Sequence, residues 1–182
     1  MKKMMSLLLV VAVTSTSVFA QKYMTRTGKV SFFSSTSVEN IEAFNNETAS
    51  VLDSKTGDIV FQVPIKSFKF EKALMQEHFN ENYMESTKYP KAEYKGKIAN
   101  LGDVNFAKDG TYNVKTQGKL TIHGVTRDVS LPGTVTVKGN DVTVNSKFSV
   151  RTADYGIKIP SVVEGKIAKS IEVTVNSILS KK

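Results

Sequence analysis

The sequence predicts an all-β fold of antiparallel strands with one short helix near residues 72–86. Apolar and polar residues alternate through most of the chain, clusters of Gly, Asn and Asp fall between the alternating runs, and a single stretch carries apolar residues at helical spacing. Together these point to strands with one buried face, joined by short turns.

The first twenty residues stand apart from this pattern. MKKMMSLLLVVAVTSTSVFA opens on Lys2 and Lys3, continues through an apolar run from Leu7 to Val13, and ends on the small-residue site Val18-Phe19-Ala20. That is the layout of a secretory signal peptide, and the apolar run is far too short to span a bilayer. An uncleaved tether is the competing reading. The expected division is a signal peptide over 1–20 and one domain over 21–182, a size suited to a single continuous core. Export follows as an expectation, to the periplasm first and the extracellular space second. The chain contains no cysteine, which excludes thiol catalysis, disulfide frameworks and cysteine metal sites.

The formal charge is +8, or about +6 once Lys2 and Lys3 leave with the leader. The lysines are scattered singly, as at Lys55, Lys66, Lys97, Lys119, Lys138 and Lys147, and are interleaved with apolar residues. Dispersed lysines read as solvated outer faces and guarded strand edges rather than a nucleic-acid patch, so no nucleic-acid partner is expected. The same charge fits a transient contact with an anionic membrane surface.

Strands are predicted over 26–34, 36–44, 47–53, 58–68, 91–101, 111–123, 126–138 and 141–151, with a last one over 167–179. In the fourth, Ile59, Phe61, Val63 and Ile65 share one parity against Asp58, Gln62 and Lys66. Leu120 and Ile122 oppose Lys119, Thr121 and His123, and the pairs Val142/Val144 and Phe148/Val150 and the trio Ile171, Val173 and Val175 repeat the alternation. Turns are expected at Lys55–Asp58 and Lys108–Gly110, and a tight hairpin at Lys138–Asp141. A sandwich or a closed barrel accommodates so many strands, and only closure removes the edges. An eight-stranded barrel either holds a small ligand or is filled by its own side chains.

The helical stretch is LMQEHFNENYMESTKYP, Leu74 to Pro90. Met75, Phe79 and Tyr83 fall at i, i+4 and i+8, with Leu74 bordering the same face. The other face carries Glu77, His78, Glu81 and Glu85. Histidine with carboxylates is the minimal acid–base pair, but a metal needs a third firm ligand and exclusion of solvent, so these residues read as the wet side of a lid. His123, in LTIHGVTRDV, has outward parity, and Gly124 marks a turn or bulge. The sequence holds no G-x-S-x-G elbow and no glycine-rich phosphate loop, so no enzyme, metal or cofactor is expected.

Several blocks carry a resemblance. Gly28-Lys29-Val30-Ser31-Phe32 and Val38-Glu39-Asn40-Ile41-Glu42-Ala43 come first, then His78 to Ser86 running to Tyr89-Pro90 and Tyr94-Lys95-Gly96, then Gly118 to Thr126 and Asp154-Tyr155-Gly156-Ile157. Through them the chain resembles the YceI-like polyisoprenoid-binding proteins, exported lipocalin-like barrels that enclose long lipid tails. Better-known members show a tryptophan and a histidine-serine pair where this chain has Tyr23 and Gly28-Lys29-Val30, a departure similar to a Bacteroidetes-type branch.

The resemblance implies a single antiparallel eight-stranded, lipocalin-like barrel with a short helix over or beside its opening. It implies binding of an apolar lipid, such as a polyisoprenoid, an isoprenoid quinone or a fatty chain, for carriage, storage or sequestration in the cell envelope. Candidate ligand-binding residues are Phe32, Phe61, Val63 and Ile65 from the first strands, and Met75, Phe79 and Tyr83 from the helix. Tyr94, Leu120, Ile122 and Phe148 come from later strands, and Tyr155 and Ile157 from the block after them. A homodimer is a further expectation. The competing function is an exported structural or stress-related barrel with a filled core and a protein partner.

Overall fold

A computed structural model describes residues 21–182, so the expected signal peptide over 1–20 lies outside the described residues. Nine strands are present: β1 (Lys22–Ser35), β2 (Asn40–Asp53), β3 (Asp58–Pro64), β4 (Lys69–Phe70), β5 (Lys91–Ile98), β6 (Gly110–Ile122), β7 (Val125–Lys138), β8 (Asp141–Arg151) and β9 (Ser170–Lys181). Eight of them close a ring in the order β1-β9-β8-β7-β6-β5-β3-β2, with β2 returning to β1, and every pairing is antiparallel. The two-residue β4 adds only a stub against Ala43 and Phe44 of β2. A closed ring leaves no full-length edge to pair with another chain.

One expectation is corrected in β2. The runs 36–44 and 47–53, read as two strands, are a single strand from Asn40 to Asp53 with a bulge at its middle. Gly28 pairs with Thr48 and Val30 with Asn45, so β2 carries one residue more than β1 between these pairs. Asn45 organises the bulge. Its Oδ1 accepts from the Glu47 amide at 2.8 Å and from Thr48 Oγ1 at 3.2 Å, and its Nδ2 donates to the Pro64 carbonyl at 2.8 Å. The extra residue moves the buried parity from Ala43 and Asn45 to Thr48, Ser50 and Leu52, and that break in alternation imitates a strand boundary.

A second correction concerns His123. Its parity suggested an outward strand position, but β6 ends at Ile122 and His123-Gly124 form a two-residue hairpin turn with φ of 50° and 75°. The imidazole is covered rather than exposed, with 11% of its side-chain surface accessible.

Antiparallel order puts the β2–β3, β5–β6 and β7–β8 connections at one end of the barrel. Tyr23, Leu52, Ile59, Val137, Val142 and Leu179 pack there, and Val104 of the β5–β6 loop joins them. Phe106 of that loop stacks on Tyr23 at 5.9 Å between ring centroids. The other end receives the β1–β2 turn, the long β3–β5 connection, the His123-Gly124 turn and the β8–β9 loop. It is this end that carries the helical segment.

The predicted helix begins as α1 (Ala73–His78) and then widens into a π turn over Phe79–Tyr83, with the Met84 amide donating to the Phe79 carbonyl at 2.8 Å. A π turn inserts one residue and advances the face by one position. Met84 consequently becomes the buried apolar side chain of the segment, at 7% exposure, while Met75, Phe79 and Tyr83 are half-buried.

Candidate functional site

The barrel interior is not filled. A cavity of about 540 Å³ runs through it, walled almost wholly by apolar side chains from the barrel strands and the helical segment. Parity explains the lining, because alternate residues of each strand must face the axis of a closed barrel.

Twelve of the thirteen predicted residues border this cavity. Phe32, Phe61, Val63 and Ile65 line it from β1, β3 and the turn after β3; Met75, Phe79 and Tyr83 line it from the helical segment; Tyr94, Leu120, Ile122, Phe148 and Ile157 complete the set. Tyr155 is the exception. It lies in a 3₁₀ turn, Thr152–Tyr155, buried in the wall with the Arg127 guanidinium 6.0 Å from its ring centroid. Its own carbonyl faces Nδ1 of His123 at 3.3 Å, which ties its backbone to the β6–β7 hairpin.

Four phenylalanines pack at the helical end. Phe79 sits 5.4 Å from Phe32, 5.6 Å from Phe68 and 5.0 Å from Phe70, with stacked, edge-on and tilted ring pairs respectively. Such arrangements are favourable beyond simple burial. Phe68, Phe70 and Met84 border the cavity although they are not among the ligand-binding candidates, as do Ile171, Val173 and Val175 of β9. The β9 trio was legible from its alternation alone. Met84 was not, because the π turn that brings it inward has no periodic signature.

The polar members of the wall are few. Tyr94 lies across Gly96 and donates its hydroxyl to Thr116 Oγ1 at 2.7 Å. Burial raises the Tyr94 phenol above its ordinary range, and the bond to Thr116 opposes the rise. Glu93, which also borders the cavity, is held below the usual carboxylate range, first by Lys95 at 2.6 Å, with burial opposing and Gln62 and Lys91 assisting.

The cavity also reaches the seam between β7 and β8. These strands pair only from Thr134/Asn145 to Lys138/Asp141, and beyond that Ser146 Oγ donates to the Pro132 carbonyl at 2.6 Å. Pro132, with no N–H to offer a ladder, occupies this unpaired stretch together with Gly133, and both border the cavity.

His78 is exposed and borders the open end of the cavity. Of the acids first grouped with it, Glu85 instead meets His123. Among the described residues, no group of three or more His, Asp or Glu side chains is placed to hold a metal ion. What the geometry offers is a greasy tube whose few polar side chains, such as Tyr94 with Thr116 and Ser146 with Pro132, are hydrogen-bonded to one another or to the wall, suited to enclosing a chain of methylenes or isoprene units.

Residues 10–178 match the model of the YceI-like domain. Among solved structures, the chain is similar to a polyisoprenoid binding domain from Saccharophagus degradans implicated in plant cell wall breakdown, with a TM-score of 0.78, 13% identity, and coverage of 90% of this chain and 99% of that one. It is also similar to Burkholderia cenocepacia BcnA, with a TM-score of 0.68, 20% identity, and coverage of 83% and 95%. The Campylobacter jejuni YCEI protein matches with a TM-score of 0.61, 14% identity, and coverage of 77% and 84%. No curated protein matches the sequence. With a closed eight-stranded barrel in place and the family model matched over nearly its whole length, the chain belongs to the YceI-like domain family.

Proposed function

We propose that this protein binds one long apolar lipid, of the polyisoprenoid, isoprenoid quinone or fatty-chain class, inside its barrel. The observation that carries the reading is the apolar cavity of about 540 Å³, within the size range of roughly 300–1,000 Å³ common to small-molecule sites. Transferring about twenty methylene-sized units from water at ~0.8 kcal/mol each contributes on the order of 16 kcal/mol, enough to offset association and ordering costs. The named relative from Saccharophagus degradans, a polyisoprenoid binding domain, supports the same ligand class.

The leader-like first twenty residues support a role in the cell envelope, where the protein carries, stores or sequesters its lipid without chemistry on it. The filled-core alternative is disfavoured by the cavity. Native mass spectrometry of protein purified without detergent, followed by organic extraction, tests the reading. A lipid-mass adduct is expected; protein that is free of lipid and also ignores added isoprenoids and fatty chains would sink it.

A further inference from the structure

The described residues expose five large apolar side chains, and three of them stand around the open end of the cavity. Val38 (65% exposed) lies in the β1–β2 turn, Leu74 (61%) opens the helical segment, and Val162 (88%) tips the β8–β9 loop. They come from three separate elements. Their neighbours Glu39, Lys72, Val163 and Lys166 border the cavity, as Leu74 does itself. Lys72 Nζ lies 3.4 Å from Glu39 Oε1, which ties the helical segment to the β1–β2 turn, and the Ala168 amide donates to Ser34 Oγ at 2.9 Å, which ties the β8–β9 loop to the end of β1. The other two exposed apolar residues, Phe44 and Ile178, sit singly on the barrel wall.

Charge accompanies the apolar tips. Lys72 and Lys166 border the same opening, exposed Lys158 lies in the chain between Ile157 and Ile159, which border it too, and Lys169 is paired with Glu164 at 2.8 Å. Glu39 is engaged by Lys72. The one acid of α1, Glu77, borders a separate shallow depression with Phe70, Glu71, Ala73 and Gln76. Apolar tips interleaved with lysines are the chemistry of a surface that enters an anionic lipid interface.

We infer that the open end of the barrel is a docking face for an anionic bilayer, with Val38, Leu74 and Val162 entering the headgroup boundary and the lysines holding the phosphates around them. The inference rests on the lipid-binding reading for its purpose. A ligand too apolar to cross water passes between bilayer and cavity only where the opening meets the membrane, and the apolar tips surround that opening.

The test uses co-sedimentation with vesicles of phosphatidylcholine alone and of phosphatidylcholine mixed with phosphatidylglycerol. Cavity occupancy is read separately, from the fluorescence of cis-parinaric acid added from ethanol. The protein should bind the mixed vesicles, ignore the neutral ones and release as salt rises. Lys158→Gln should weaken binding about five-fold, and Val38→Asp with Val162→Asp by more than about ten-fold. None of these three side chains borders the cavity, so the variants should take up the fluorescent chain as the parent does. Equal vesicle binding by parent and variants would overturn the inference, as would equal binding to neutral vesicles or no binding at all. Failure of probe uptake with vesicle binding intact would count against the lipid-binding reading instead and leave the docking face standing.

Discussion

Nε2 of His123 lies 2.7 Å from Oε2 of Glu85, across thirty-eight residues of chain, and both residues hold a positive φ, 50° and 43°. They are the non-glycine residues with positive φ among those described. Left-handed backbone is costly for side chains such as these, so the contact must be held by its surroundings. Tyr89 supplies part of that hold, with its ring edge-on to the imidazole at 4.5 Å and packed over Gly124. The pair therefore ties the end of the helical segment to the β6–β7 hairpin, and the Tyr155 carbonyl on Nδ1 brings the β8–β9 loop into the same junction.

Replacing His123 should separate the contribution of the backbone from that of the side chain. His123→Ala loses the contact to a carboxylate and keeps the left-handed strain, for a cost of about 2–3 kcal/mol. His123→Asn loses the same contact but tolerates the conformation better, and should cost less. Denaturant midpoints at constant slope check the order; an alanine variant as stable as the asparagine one would contradict it.

Gly96 and Gly118 face each other across β5 and β6, and a Cβ on Gly96 would overlap the Tyr94 hydroxyl. Gly96→Ala should push Tyr94 off Thr116 and cost about 1–3 kcal/mol by overpacking and loss of the hydrogen bond. Combined with Tyr94→Ala, the two losses should fall short of their sum, because the second change removes the overlap with the ring and leaves only the close approach to the Gln117 carbonyl. Strict additivity in thermal or chemical unfolding would disprove the contact.

Stability should decline on the alkaline side through the buried tyrosines. Burial raises the phenol of Tyr94, and the same cause acts first on Tyr23 and Tyr155. A raised folded value means that the folded chain holds the proton more tightly than the unfolded one. The stabilisation is complete below the ordinary phenol range and is lost as pH climbs from that range through the raised value. Unfolding curves over an alkaline series should show a shallower decline for Tyr94→Phe than for the parent, and parallel declines would exclude the effect.

Cavity volume and lipid uptake should respond oppositely to filling and emptying. Phe61→Ala removes a side chain that is 8% exposed and should cost about 3–5 kcal/mol. Val144→Phe adds atoms where empty space already exists, so it should alter stability by less than about 1.5 kcal/mol while reducing the length of chain taken up. Fluorescent fatty-chain titration beside thermal unfolding reads both; undiminished uptake by Val144→Phe would show that the tail lies elsewhere.

Alternation in β3, β6, β8 and β9 makes the strands legible, and the same parity points to Phe61, Val63, Ile65, Leu120, Ile122 and Phe148, all of which border the cavity, while helical spacing points to Met75, Phe79 and Tyr83. The misreadings share a cause. At Asn45–Thr48 and at Phe79–Tyr83 one inserted residue changes the phase of the pattern, so that one strand looked like two and Met84 was passed over. His123 departs for a different reason, since it sits in a hairpin turn, where parity carries no direction, and Tyr155, which the resemblance names, sits in a 3₁₀ turn and does not border the cavity.

The sequence by itself determined which faces are apolar, where the chain turns, and that one amphipathic helical stretch interrupts the strands, because these depend on local spacing and backbone preference. Only the tertiary structure decided that the sheet closes on itself, that its interior stays open, and that Glu85 and His123 meet. Closure, cavity volume and that contact are set by how distant strands tilt and pack, and no local pattern records the distance between two inward-facing side chains on opposite walls.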